Sequence, residues 1–156
     1  MTEQIEVPKT LTDYLQRRPE IIAAYLFGSV AAGKAHKFSD VDVALLLADT
    51  VDAKQAWEIR LEAMGEAETA FGRRADVIII SEVGLVFAFQ ILKSSKVIFE
   101  RDKAFRCRYE MRVRSEYYDY LPYLQHQQNE FRRRLKKEGL LYGYKQRRRA
   151  AAKAER

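Results

Sequence analysis

The sequence predicts a mixed α/β fold: a small mixed β-sheet flanked by helices, closing on a long C-terminal helix. Two observations predict it. Short, almost wholly apolar runs (IIAAYLF at 21–27, VALLL at 43–47, ADVIII at 75–80) alternate with segments whose apolar residues recur every three or four positions. From Asp102 to Leu124 the chain then keeps the helical period without another comparable apolar run. Placed in order, these segments predict a small sheet covered by helices on one side.

Residues 8–18 read as a first helix, with Leu11, Tyr14 and Leu15 on one face, Pro8 acceptable in a first turn and Pro19 as a stop. The run 21–27 reads as a buried strand entering a tight turn at Gly28-Ser29, and 30–35 could form one short helix. Residues 38–48 contain a second strand, alternating in SDVDV before it becomes apolar. Residues 52–71 read as an amphipathic helix. Asp52 caps it, Trp57, Leu61, Met64, Ala67 and Phe71 form its apolar stripe, and Gly72 ends it. On this reading Trp57 belongs to the core. RRADVIIIS supplies a third strand, 82–92 a helix packed on the sheet, and KVIFE at 96–100 a fourth short strand or extended segment. From Asp102 onward Phe105, Tyr109, Val113, Tyr117, Tyr120 or Leu121, and Leu124 keep a helical period, which Pro122 is expected to bend or interrupt.

The 156 residues suffice for one domain of ordinary size. We expect that domain to cover residues 1–138, followed by a basic, flexible tail at 139–156. The apolar runs are too short to span a membrane. The first residues, MTEQIEVPKT, lack a basic start followed by an apolar stretch, so no secretory signal is expected and a cytoplasmic location is the default. The single cysteine, Cys107, excludes an internal disulfide, and with two histidines it makes no zinc-ligand spacing. The net charge of +6 is unevenly placed. Residues 132–156 carry 11 Lys/Arg against 2 acidic groups, a net of +9, so the other 131 residues hold 17 basic and 20 acidic groups, a net of −3. The basic end fits a solvated tail, a salt-sensitive contact with RNA phosphates, or docking on an acidic partner surface.

The chemistry concentrates in LFGSVAAGKAHKFSDVDVALLL, residues 26–47. Gly28-Ser29 is followed by ten residues and then Asp40-Val41-Asp42. Strand alternation points Asp40 and Asp42 to one face. Two neighbouring carboxylates repel unless a cation lies between them, and a hard divalent ion with oxygen ligands, Mg²⁺ when a nucleotide is present, answers that need. Gly28 lets the backbone approach a phosphate, while the Ser29 hydroxyl and nearby N–H groups can hold its oxygens. Asp76 leads the third apolar run. It would stand beside the Asp40/Asp42 pair if those strands are neighbours, as a shared ligand or as activator of an attacking hydroxyl. Such a site suits attack on the α-phosphate of a nucleoside triphosphate, with pyrophosphate leaving.

These motifs resemble the minimal nucleotidyltransferases of the DNA polymerase beta-like superfamily. The small size and following long helix most resemble the MNT antitoxins of HEPN/MNT toxin–antitoxin pairs. The resemblance, over roughly residues 20–125, implies a nucleotidyltransferase fold. It implies that Gly28 and Ser29 bind the triphosphate, that Asp40 and Asp42 hold Mg²⁺, and that Asp76 is the third catalytic and metal-binding carboxylate. It further implies transfer of AMP from ATP to a tyrosine of a partner HEPN ribonuclease toxin. The family often carries Arg before the glycine of the short helix, where this chain has Ala32, and Lys34 is the cation nearby that could bind the nucleotide instead. A non-catalytic antitoxin that occludes its toxin, and a nucleotidyltransferase acting on a small molecule such as an aminoglycoside, are the competing implications.

The remaining reactive types read blandly. Ser39 suits a turn or cap, His36 a loop, and His126 and Cys107 the surface or packing of the C-terminal helical region. The stretch SEYYDYLPYLQ, 115–125, differs: Tyr117, Tyr118, Tyr120 and Tyr123 cannot share one helix face, so some must be exposed, as on a partner-binding surface.

Overall fold

The computed structural model describes residues 7–34 and 39–138, with side chains as far as Lys136. The elements follow the expected order: α1 (Lys9–Arg17), β1 (Ile21–Phe27), α2 (Gly28–Ala31), β2 (Val41–Leu47), α3 (Ala53–Phe71), β3 (Ala75–Ile79), α4 (Leu85–Ser94), β4 (Lys96–Glu100) and α5 (Lys103–Glu138). The short helix starts at Gly28, two residues earlier than its apolar content suggests. The predicted tail at 139–156 and His36 lie outside the described residues.

The strands form one mixed sheet in the order β3-β2-β1-β4. β1 is antiparallel to β2 and β4, while β2 and β3 run parallel. The crossover needed between parallel neighbours is α3. Period-two alternation then divides the sheet into two faces. Val41, Val43, Leu45 and Leu47 of β2 join Ala75, Val77 and Ile79 of β3 in a cluster with Leu11, Leu15, Ile59 and Ala63 from α1 and α3. Ala44 and Leu46 face the other way, with Tyr25, Phe89, Ile91, Tyr109 and Val113 from β1, α4 and the start of α5. The expectation of helices on one side is therefore corrected, because both faces are covered. The reason lies in the strands: both inner strands are apolar at successive positions, so each face must be shielded.

α3 opens on a capping box. Asp52 accepts from the Gln55 N–H at 2.8 Å, and the Gln55 side chain accepts from the Asp52 N–H at 3.2 Å. Gly72 closes the helix in the left-handed conformation at φ 61°. The ends match the sequence reading, and the face matches it in part. Trp57 and Leu61 are exposed at 56% and 44%, whereas Ala56, Ile59, Ala63 and Ala67 are buried. Of the predicted stripe, Ala67 is in the core and Met64 and Phe71 pack partly buried against it, whereas Trp57 and Leu61 are not core residues. Alanines let α3 lie close on the sheet, and the Trp57 ring stays outside beneath the Arg60 guanidinium, 5.6 Å from its centroid.

Arg101 supplies a tie that local patterns do not reveal. Its guanidinium donates to the carbonyls of Leu15, Gln16, Arg18 and Ile21 at 2.8–3.2 Å, capping the end of α1 and holding it to β1. α5 continues through Pro122, so of the expected bend or interruption the interruption does not occur; the ring removes one N–H and crowds one carbonyl, a local cost of about 3 kcal/mol in a run of 36 residues.

The chain divides into two compact units, one through Tyr117 and one from Tyr118. In the first, Tyr117 stacks on Phe89 with ring centroids 3.7 Å apart. In the second, Tyr118, Tyr120, Tyr123 and Phe131 are all exposed, as the tyrosine spacing requires. Among the described residues no helix is long and apolar enough to cross a membrane.

Candidate active site

β1 ends at Phe27, and the chain turns at once into α2. The turn depends on Gly28, which adopts φ +72°, a region costly for residues with a side chain. Space imposes the same requirement: a Cβ at this position would stand 2.0 Å from Oδ2 of Asp42. The backbone at Gly28 and the carboxylate of Asp42 are thus in direct apposition. Ser29 is half-buried in the first turn of α2. Its carbonyl accepts from the Lys34 N–H at 3.0 Å, which closes the following turn.

The strand register settles the position of the carboxylates. Asp42 of β2 is the cross-strand partner of Phe27 on one side and of Asp76 on the other. Directly paired residues share a face, so Asp76, Asp42 and Phe27 form a row across three strands. Asp40, two residues before Asp42, falls on the same side. Asp42 is half-buried, and Asp40 and Asp76 are exposed. Burial raises the Asp42 carboxyl above the ordinary carboxylate range, and the charges of Asp76 and then Asp40 push it further.

Gly28, Asp40, Asp42 and Asp76 therefore gather at one end of the sheet, with Ser29 in the adjoining turn. Lys34 is exposed, and no described contact links it to the carboxylates. Two neighbours carry no sequence signal. Arg60, on the half-turn of α3 facing the sheet edge, donates from Nε to the Val77 carbonyl at 2.7 Å and approaches Asp76 Oδ1 to 3.9 Å. Phe87 of α4 meets Phe27 edge to face, with centroids 6.3 Å apart. Only the proximity of α3 and α4 to these strands brings them in.

The donor set is all oxygen, which suits a hard divalent cation. Among the described residues no three acidic, histidine or cysteine side chains close into a metal cage. Mg²⁺ bound together with a nucleotide takes part of its oxygen ligands from the substrate phosphates rather than from an all-protein cage. The close apposition of Gly28 and Asp42 would set such phosphates against the carboxylates.

The profile of the Polymerase beta, Nucleotidyltransferase family matches residues 9–104. The chain belongs to this family. The match runs from α1 into the start of α5 and contains every candidate residue. A protein adenylyltransferase, MntA of Shewanella oneidensis, is 30% identical over 81 residues, which are 52% of this chain and 55% of that protein. The matched region thus spans about half the length of this curated relative. Among solved structures, a toxin–antitoxin with AMP-PNP aligns with a TM-score of 0.63 at 24% identity, over 78% of this chain and 95% of that one. A tri-AMPylated Shewanella oneidensis HEPN toxin in complex with MNT antitoxin aligns at 0.57 and 19% identity, over 79% and 97%. These likenesses establish the nucleotidyltransferase fold.

Proposed function

We propose that this chain is a Mg²⁺-dependent antitoxin that transfers AMP from ATP to a tyrosine of a HEPN ribonuclease toxin and so silences it. The observation that carries the reading is the register pairing Asp42 with Asp76 beside the backbone of Gly28. Family membership supports the reaction type. The relative named as a protein adenylyltransferase supports AMP as the group and a protein as acceptor. The complex of an MNT antitoxin with a tri-AMPylated HEPN toxin supports the partner.

In this reading Gly28 and Ser29 bind the triphosphate through backbone N–H groups and the Ser29 hydroxyl. Asp40, Asp42 and Asp76 would hold Mg²⁺, which supplies neutralisation of the charge that develops on the phosphoryl oxygens. Asp76, exposed at the outer end of the paired row, takes the proton from the acceptor hydroxyl. The new bond joins that oxygen to the α-phosphorus, and the bond to the bridging oxygen breaks as pyrophosphate departs.

The test incubates the chain with α-labelled ATP, Mg²⁺ and a HEPN partner. The Asp40→Ala/Asp42→Ala double variant should lose label transfer by about 100-fold or more, the scale set by several kcal/mol of lost charge stabilisation. Transfer that persists in the double variant overturns the assignment. The exposed tyrosines at 118, 120 and 123 favour a second reading, occlusion of the toxin without catalysis. A double variant that no longer transfers AMP but still neutralises the toxin would decide for it.

A further inference from the structure

The row across the sheet does not stop at its carboxylates. Phe27 is the next member after Asp42, one strand away, which is about 5 Å. Phe27 is half-buried and serves as a floor. Phe87 stands against it from α4, interplanar angle 80°, and remains 49% exposed. The ring lies off the stripe by which α4 packs on the sheet, made of Ala88, Phe89, Ile91 and Leu92. A solitary exposed phenylalanine is ordinary on a protein surface. This one is held by Phe27, whose next residue is Gly28, where the proposed phosphate cradle begins.

We propose that Phe87, backed by Phe27, is the platform on which the base of the bound nucleoside triphosphate stacks. The inference rests on the nucleotidyltransferase reading above and names a residue that determines how that site takes its nucleotide. A base is tethered to its phosphates by one sugar, so an open aromatic ring next to the cradle is within its reach. An acceptor tyrosine has no such tether and must approach the α-phosphate from the side opposite the leaving pyrophosphate. Phe87 offers no hydrogen-bonding group, so the contact is through the ring face and depends on the presence of a base rather than on its identity.

Calorimetric titration with ATP and with inorganic tripolyphosphate, both with Mg²⁺, separates base from phosphate binding. Phe87→Ala should weaken ATP binding about tenfold, the scale of one lost base–aromatic stack, and leave tripolyphosphate binding unchanged. Phe87→Trp should restore ATP binding. Equal ATP affinity in Phe87→Ala and the unaltered chain overturns the proposal, as does an equal loss for both ligands, which marks a structural role. Retained ATP affinity with lost transfer to the HEPN partner also overturns it, assigning the ring to the acceptor. If the unaltered chain binds neither ligand, the nucleotide reading itself falls; if it binds both and Phe87→Ala matches it, only the platform falls.

Discussion

The two faces of the sheet are built from the same strands by the same alternation, yet they end differently. On the face under α1 and α3, β2 contributes Val41, Val43, Leu45 and Leu47, apolar from end to end and buried. On the face under α4 and α5, it contributes Leu46 and Ala44 and then Asp42, with Asp40 just before it. One face is a closed core. The other is a core that opens into an acidic edge where β1 turns into α2. The strand positions proposed for chemistry are thus those whose burial is incomplete, while the opposite face is buried from end to end.

The largest expected effect breaks the closed face. Leu45 is fully buried, and Leu45→Ala removes side-chain packing and leaves a cavity, so stability should fall by about 2–5 kcal/mol in denaturant unfolding. A loss under 1 kcal/mol would mean that the α1/α3 face is less consolidated than the geometry shows.

An intermediate effect sits at the junction of stability and site. Gly28→Ala places a Cβ in a left-handed backbone position and against Asp42 Oδ2. Stability should fall by about 1–2 kcal/mol from the backbone conformation alone. AMP transfer should fall further than stability does, because Asp42 must move aside. Full activity in this variant would dissociate Gly28 from the site.

The smallest effect sharpens the comparison through pH. Burial and the charges of Asp76 and Asp40 raise the folded-state pKa of Asp42 above its unfolded value. The folded chain then holds its proton to higher pH than the unfolded chain. Stability from this group is greatest below the unfolded value and declines as pH rises through the raised folded value. Asp42→Asn should therefore be slightly more stable than the unaltered chain at neutral pH, with the advantage vanishing on acidification into the ordinary carboxylate range. Thermal unfolding across pH reads the trend directly. An Asp42→Asn variant less stable at neutral pH would show that the carboxylate is favourably solvated where it stands.

Much of this was legible in residue order. β1 and β4 fall at 21–27 and 96–100 as their apolar runs indicate, and Asp52 and Gly72 bound α3 by side-chain and backbone rules that act within four residues. The Gly28-Ser29 and Asp40/Asp42 spacing marked the candidate site for the same reason, since a turn and an alternating strand start are local features. Errors arose where a segment's neighbours choose its orientation. Trp57 looks apolar enough for a core, but α3 rotated to set its alanines on the sheet. Pro122 reads as a bend or a break, and the break does not occur, since the helix continues through it.

By itself, then, the sequence determined the order of helices and strands, the two ends of α3, and the residue types of the candidate site, because these follow from contacts between residues close in the chain. Only the tertiary structure decided that β3 lies parallel to β2, which brings Asp76 level with Asp42. It alone decided that both faces of the sheet are covered, that Arg101 gathers the carbonyls at the end of α1, and that Phe87 comes to rest on Phe27. These depend on which distant segments meet and in which register. Local periodicity is silent on that choice, because it is made by the burial of whole faces against one another.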